Sequence, residues 1–174
     1  LAELESVVTA IAVSEALAVV HAQGIIHRDI KPSNVLVTDD GVIKLADFGV
    51  SKPFAAQTEA LTMTGTTYGT FDYMSPEQLA GEELDERADI YSVGVLLYEM
   101  LTGVTPRGAY ESLDSHGVSK RLARLVTQCM RREKAQRISS AGELVTELRK
   151  CHSPHRVSKA FWGGAFVIGL LLVA

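Results

Sequence analysis

A segment that is apolar on nearly all of its sides, residues 89–101, constrains the fold more than any other part of the sequence. A helix with this pattern has no polar face to offer to water, so other elements must surround it. Gly103 follows and is well placed to end the helix, because glycine readily adopts the left-handed conformation found after a last helical turn. The sequence therefore predicts a globular domain, and 174 residues are enough to bury its core.

Three further helices are predicted. Apolar residues at helical spacing run from Leu4 to about His21, and Gly24 ends this pattern. A last helix follows Ser140-x-x-Glu143, the pattern of a capping box. The remaining helix is marked by apolar residues at helical spacing: Leu122, Leu125, Val126, Cys129 and Met130.

Two short strands complete the predicted fold. Residues 35–37 and 42–45 are apolar runs, and Asp39-Asp40-Gly41 between them is a hairpin turn signal. Residues 51–70 are rich in Thr, Gly and Ala without periodicity, which is typical of a functional or disordered loop. The fold class is thus mainly α with a small β-hairpin, and the hairpin lies close to the loops that carry polar motifs.

The composition excludes some classes of function. The chain has 17 basic and 21 acidic residues, and its net charge of -4 disfavours a general nucleic-acid binder. Two cysteines, Cys129 and Cys151, are too few for a disulfide scaffold and fit a reducing compartment. No C-x-x-C pair or His-rich cluster indicates a zinc site.

Three polar motifs follow one another along the chain. Residues 27–34 read HRDIKPSN and match the H-R-D-L-x-x-x-N catalytic loop of protein kinases, with Ile30 in place of Leu. Asp47-Phe48-Gly49 follows across the hairpin, and Ser75-Pro76-Glu77 resembles the A-P-E that closes the activation segment. Each motif alone is a weak signal, but the three in this order are a strong one. The chain resembles the C-terminal lobe of a protein kinase over about residues 1–151.

This resemblance implies an ATP- and Mg²⁺-dependent phosphoryl transfer to protein hydroxyls. Asp29 is the expected catalytic residue, since the transfer needs an acceptor for the hydroxyl proton in line with the γ-phosphate. Asn34 and Asp47 offer the oxygen ligands that magnesium prefers, and the family resemblance assigns the metal ions to these two residues. Lys31 is expected to contact the γ-phosphate. A lysine at this position is typical of serine/threonine kinases.

The resemblance assigns structural roles to a second set of residues. His27 and Phe48 are expected to pack in an internal spine, and Asp89 to anchor the backbone of the catalytic loop. Glu77 and Arg137 resemble a buried ion pair that joins the activation segment to the last helices.

The residues alone leave the ordinary alternatives open. His27 could be a plain core histidine, and Asp29 a helix or turn cap. Asp89 could be a helix N-cap.

Activation is expected to involve the segment before Ser75. Thr70 resembles the threonine that contacts the catalytic Asp in serine/threonine kinases. Arg28, beside Asp29, is typical of kinases that are switched by phosphorylation, because a guanidinium pairs with the added phosphate. Thr62 and Thr64 are the candidate sites, modified in trans within a dimer. The alternative is that these threonines only fill a loop.

The end of the sequence predicts a membrane anchor. Residues 160–174 carry no charge, and Arg149, Lys150, Arg156 and Lys159 precede them. This pattern favours the start of a single membrane-spanning helix after a basic linker at residues 152–159, with the kinase domain cytoplasmic. A span needs about 20 apolar residues, so a buried terminal helix or hydrophobic tail is the alternative.

We expect the chain to be part of a longer protein, because it opens inside a helical pattern at Leu1 and closes inside an apolar run at Ala174. It holds no G-x-G-x-x-G-x-V loop and no V-A-I-K lysine, so this piece alone is expected to be inactive. Two other functions remain: a pseudokinase that acts as a scaffold, and a small-molecule phosphotransferase. The intact catalytic residues disfavour the first, and Ser75-Pro76-Glu77 disfavours the second.

Overall fold

The computed structural model describes residues 1–47, 71–106 and 111–151. Its helices and strands in chain order are α1 (Glu3–His21), β1 (Val35–Val37), β2 (Ile43–Leu45), α2 (Pro76–Ala80), α3 (Arg87–Thr102), α4 (Lys120–Cys129) and α5 (Ala141–Cys151). Short 3-10 turns lie at Pro32–Asn34, Phe71–Tyr73, Leu113–His116 and Lys134–Gln136. The prediction of a mainly helical domain with a small antiparallel sheet is confirmed.

Helix α3 lies at the centre of the domain, as its sequence predicts. Ten of its 16 residues are buried, and it contacts α1, α4 and two of the 3-10 turns. It ends at Thr102, and Gly103 has a φ of +81°, where a side chain would be strained. The other elements therefore pack around one apolar helix.

Helix α1 covers one side of this centre and contacts α3, α5 and β2. It ends at His21, as predicted. Within the described residues it is the one helix long and apolar enough to cross a membrane, with a mean hydropathy of 1.5 over its most apolar window. Half of that window is buried inside the domain. The contacts of α1 are those of a core helix.

The two strands form the predicted hairpin. Val35 pairs with Leu45 and Val37 with Ile43 in an antiparallel register. The second strand starts at Ile43, one residue later than the apolar run suggests, because Val42 closes the turn. Its N–H bonds to Thr38 Oγ1 at 3.0 Å, and its carbonyl accepts the Thr38 N–H at 2.9 Å.

At the start of α5, only one of the two hydrogen bonds of the predicted capping box is present. The N–H of Glu143 donates to Ser140 Oγ at 3.2 Å, which is the expected cap. The Glu143 carboxylate, however, accepts from the N–H and Oγ of Ser139, at 2.9 and 2.6 Å, and not from the Ser140 N–H. Both bonds lower the pKa of Glu143.

Candidate active site

The polar loop of residues 27–34 is held by the carboxylate of Asp89, in the first turn of α3. Oδ2 of Asp89 accepts the N–H of His27 at 2.8 Å, and Oδ1 accepts the N–H of Arg28 at 2.9 Å. Asp89 is fully buried, and the N-cap position of α3 belongs to Glu86. Its carboxylate thus binds the backbone of a distant loop, and the alternative of an ordinary N-cap is wrong.

Asp29 lies at the centre of a small polar cluster. Its Oδ2 is 2.8 Å from Lys31 Nζ and 3.1 Å from Asn34 Nδ2, which also donates to the Asp29 carbonyl at 2.7 Å. The side chain of Asp29 is 16% exposed and that of Lys31 is 21% exposed. Three of the predicted site residues therefore meet around one carboxylate that still reaches solvent.

Asp47 is brought to the same region by the hairpin. The N–H of Ala46 donates to the Asn34 carbonyl at 2.8 Å, which joins the end of β2 to the end of the loop. Asp47 follows directly, with an exposed side chain and a φ of +55°, a conformation that non-glycine residues rarely adopt. Asn34 is therefore joined by a backbone hydrogen bond to Ala46, the residue directly before Asp47.

The donor set of Asn34 and Asp47 fits magnesium. The Asn34 amide donates both of its bonds to Asp29 through Nδ2, so Oδ1 is the atom that suits a metal ligand. In the described ranges, no three His, Cys, Asp or Glu side chains converge to hold a metal ion by themselves. Magnesium in phosphoryl-transfer enzymes is commonly bound by one or two protein groups together with substrate phosphates, so two ligands are sufficient.

His27 is fully buried beneath this cluster. Its Nε2 lies 3.1 Å from the Ala46 carbonyl oxygen, and its Nδ1 accepts the N–H of Asp29 at 3.3 Å. Burial lowers the pKa of His27, although the nearby carboxylates of Asp89, Asp29 and Asp47 partly offset this effect. A neutral imidazole that bonds to the backbone at both ends fits a structural role.

Glu77 and Arg137 form a buried ion pair. Both guanidinium nitrogens Nη1 and Nη2 contact the carboxylate, at 2.5 and 2.7 Å. The Arg137 guanidinium also lies 5.0 Å from the centre of the Tyr91 ring. The pair joins α2 to the segment before α5, in the arrangement that the family resemblance implies.

Two residues that contact this site were not found from the sequence. His21, at the end of α1, places Nε2 2.7 Å from Asp89 Oδ2. Gln78, in α2, donates from Nε2 to the Arg28 carbonyl at 2.9 Å. The pattern Ser75-x-x-Gln78 was a visible signal, since it fits a capping box. No local pattern indicated that His21 does more than end its helix.

Four predicted residues lie outside the described part of the chain. They are Phe48, Thr62, Thr64 and Thr70. Residues 152–174, which contain the basic linker and the uncharged run, lie outside it as well.

Known proteins resemble this chain over most of its length. The family model of the protein kinase domain matches residues 2–160. The chain belongs to the protein kinase domain family. The loop of residues 27–34 and residues 75–77 both lie inside the matched range.

Curated relatives of this kinase domain carry serine/threonine-protein kinase names. PknL of Mycobacterium tuberculosis is 53% identical over 90 residues, which is 52% of this chain and 22% of that protein. A probable serine/threonine-protein kinase of Clostridium perfringens is 35% identical over 156 residues, which is 80% of this chain and 22% of that protein. The chain therefore spans about a fifth of the length of these relatives.

Solved structures show the same fold. The kinase domain of Mycobacterium tuberculosis PknI superimposes with a TM-score of 0.69 at 26% sequence identity. The match covers 87% of this chain and 57% of the PknI chain. The helical arrangement around α3 is thus that of a kinase domain.

Proposed function

We propose that this chain is the C-terminal lobe of a serine/threonine protein kinase, which transfers the γ-phosphate of ATP to serine or threonine hydroxyls of proteins. The observation that carries the proposal is the cluster around Asp29, in which Lys31 and Asn34 contact one solvent-accessible carboxylate. The names of the curated relatives support the choice of serine and threonine as acceptors. We do not favour a pseudokinase scaffold, because Asp29, Lys31, Asn34 and Asp47 are all present.

Asp29 accepts the proton of the attacking hydroxyl. The bond from Asn34 Nδ2 and the ion pair with Lys31 orient its carboxylate, which leaves the position of the accepting oxygen well defined. Position is the main requirement, since catalysis of phosphoryl transfer is largely alignment and charge stabilisation. The Lys31 ammonium group lies beside this oxygen and stabilises negative charge on the transferring group.

Asn34 and Asp47 hold the metal. Magnesium, when bound, neutralises charge on the phosphates. The chain holds Asn34 and Asp47 in fixed positions relative to each other. The hydrogen bond between Ala46 and Asn34 and the hairpin of β1 and β2 provide this support. A rigid support of this kind preorganises a metal site.

The remaining regions complete the proposal. Residues 1–151 form the lobe that carries the catalytic loop, and ATP is clamped from above by a further lobe of a longer protein. Residues 152–159 are a basic linker, and residues 160–174 begin a single membrane-spanning helix that leaves the kinase domain in the cytoplasm. Phosphorylation of Thr62 or Thr64 in trans within a dimer raises the activity, because Arg28, the residue before Asp29, offers a guanidinium to pair with the added phosphate.

Transfer of labelled phosphate from ATP to a generic basic protein tests this function in the longer protein. Asp29→Asn should lower the rate by about 10²–10⁴-fold, the usual contribution of a general acid or base. Asp47→Asn should lower it at least as much and weaken magnesium binding. Asp39→Asn makes the same chemical change at an exposed position of the hairpin turn and should leave the rate unchanged.

Two results would contradict the proposal. One is an Asp29→Asn variant that is as fast as the parent protein. The other is full activity of residues 1–174 alone, because their sequence contains neither the G-x-G-x-x-G-x-V loop nor the V-A-I-K lysine that would hold the triphosphate.

A further inference from the structure

Both the oxygen and the nitrogen of the Gln78 side-chain amide make hydrogen bonds. Its Oε1 accepts the N–H of Ser75 at 3.0 Å, which completes the capping box of α2. Its Nε2 donates to the Arg28 carbonyl in the catalytic loop at 2.9 Å, across 50 positions of sequence. Gln78 is 8% exposed, so water competes little for either bond. One side chain therefore joins the end of the activation segment to the catalytic loop.

The residue at the far end of this link, Arg28, is the residue before Asp29. Its φ of +69° lies in the left-handed region, and such a conformation persists in a non-glycine residue only when neighbouring groups hold it. Asp89 holds the N–H of Arg28 at 2.9 Å, and Gln78 holds its carbonyl at 2.9 Å. The two bonds lie on either side of the same α-carbon, so together they set the direction in which the chain enters Asp29.

The choice of glutamine has a chemical reason. Glutamate and glutamine serve equally well at the fourth position of a capping box, because only a side-chain oxygen is needed there. A carboxylate, however, has no hydrogen to donate to the Arg28 carbonyl. The amide of Gln78 is the simplest group that caps α2 and holds the catalytic loop at the same time.

We propose that Gln78 is a positioning residue for Asp29, and that it couples the placement of α2 to the geometry of the catalytic loop. The inference rests on the proposed kinase function and deepens it. A shift of the Ser75 end of α2 draws Nε2 away from the Arg28 carbonyl and releases one of the two bonds that maintain the φ of Arg28. The activation segment thereby acts on Asp29 without touching it.

Three variants of the longer protein separate this link from the capping of α2. Gln78→Glu keeps the oxygen that caps the helix and removes the donor to Arg28. Gln78→Met removes both bonds without placing a negative charge beside the carbonyl. Ser140→Ala removes the N-cap hydrogen bond of a different helix, α5, and is the control for the loss of a helix cap.

We expect kcat to fall on the order of 10- to 100-fold in both Gln78 variants, the scale of a small misplacement of a catalytic group. KM for ATP should change by less than about twofold, since Gln78 touches neither Asn34 nor Asp47. Ser140→Ala should keep the kcat of the parent. If Gln78 only caps its helix, Gln78→Glu will also keep that kcat, and this result would overturn the proposal.

Amide hydrogen exchange gives a readout that does not depend on activity. In the Gln78 variants, the peptide that covers residues 28–30 should exchange faster than in the parent, while peptides from α3 and α4 should not change. Equal acceleration throughout the domain would assign Gln78 to stability alone. A parent protein without phosphate transfer would refute the proposed function, whereas an active parent with an equally active Gln78→Met variant would refute only this inference.

Discussion

The buried charges of this domain lie where segments distant in sequence are joined. Arg137 is unexposed, and it bonds to both oxygens of Glu77, 60 positions earlier in the chain. Its remaining donors reach the carbonyls of Arg131, Arg132 and Arg87. A guanidinium is suited to this position because its planar set of donors satisfies a carboxylate and several carbonyls at once.

Removal of Arg137 should be costly. Arg137→Met leaves the Glu77 carboxylate buried without its partner, and we expect a loss of about 3–5 kcal/mol in the free energy of unfolding. Arg149→Met is the control, because Arg149 contacts Glu15 at the same distance of 2.5 Å but is 64% exposed. Its effect should stay below about 1 kcal/mol. Urea unfolding of the parent and both variants measures the difference, and equal losses would contradict the argument.

The ion pair of Glu77 and Arg137 also makes the stability of the domain depend on pH. Burial by itself raises the pKa of Glu77, but the bonds from Arg137 and the backbone outweigh it and hold the pKa below its ordinary value. The pair therefore contributes its full stability above the pKa of an unfolded glutamate, about 4.3. That contribution is lost as the pH falls through the lower pKa of the folded state. The unfolding measurements should be repeated between pH 3 and 6. As the pH is lowered, the free energy of unfolding should fall less in Glu77→Gln than in the parent.

Among the helices, the packing of α3 against α4 leaves no room for a further atom at Gly94. A Cβ placed there would lie 2.7 Å from Cys129 Cβ and 2.9 Å from Met130 Cγ, and 3.4 Å from the Met130 backbone nitrogen. The Cβ of Cys129 cannot move away without its own helix, since it is attached directly to the backbone. A glycine within an apolar helix is in this case required by the approach of its neighbour.

Overpacking a core costs about 1–3 kcal/mol, and the upper part of this range applies at Gly94 because the overlapping atom is fixed to the backbone. Alanine offers a gain in helix propensity of about 1 kcal/mol over glycine, so Gly94→Ala should destabilise the domain by about 1–2 kcal/mol overall. Gly142→Ala in α5 is the control, because the nearest atom to its added Cβ is Ser140 Oγ at 4.0 Å. Thermal unfolding should show a lower Tm for Gly94→Ala and an equal or higher Tm for Gly142→Ala. A Gly94→Ala variant as stable as the parent would refute the close-packing argument.

For the molecule as a whole, length and hydropathy do not separate a core helix from a membrane span. Helix α1 meets the criteria for a span, yet it packs against α3 and α5 with half of its most apolar window buried. The run at residues 160–174 differs from α1 in its flank, because basic residues without acidic ones precede it. Basic residues on one side of an apolar run are typical of the cytoplasmic flank of a span.

The longer protein should accordingly sediment with membranes and resist extraction by salt or alkali. A matched form that ends at Cys151 should remain in the supernatant, because α1 stays packed in the domain. Protease added to sealed spheroplasts should leave residues 1–159 intact, as expected for a cytoplasmic kinase domain. Recovery of the longer protein in the soluble fraction would refute the anchor.

Local patterns predicted a large part of this fold. The periodicity of α1, α3 and α4, the glycines that follow helices and the Asp39-Asp40-Gly41 turn all depend on residues that are neighbours in the chain. Interactions over three or four residues determine such elements, so their positions differ from the predictions by only one or two residues. The motif HRDIKPSN indicated in the same way that Asp29 and Asn34 belong to one loop.

The partners of the polar side chains were decided by the tertiary structure. Gln78 reaches Arg28, and His21 reaches Asp89, across 50 and 68 positions of sequence, and no local pattern encodes such a contact. The partner of the Glu143 carboxylate also differs from the prediction, because it bonds to Ser139 and not to the adjacent Ser140. The sequence by itself determined the hairpin, the family and four of the five helices in the described part of the chain, whereas α2 was not predicted. Packing around α3 decided which buried donor meets which acceptor, because a buried polar group must bond to whatever the fold brings within about 3 Å of it.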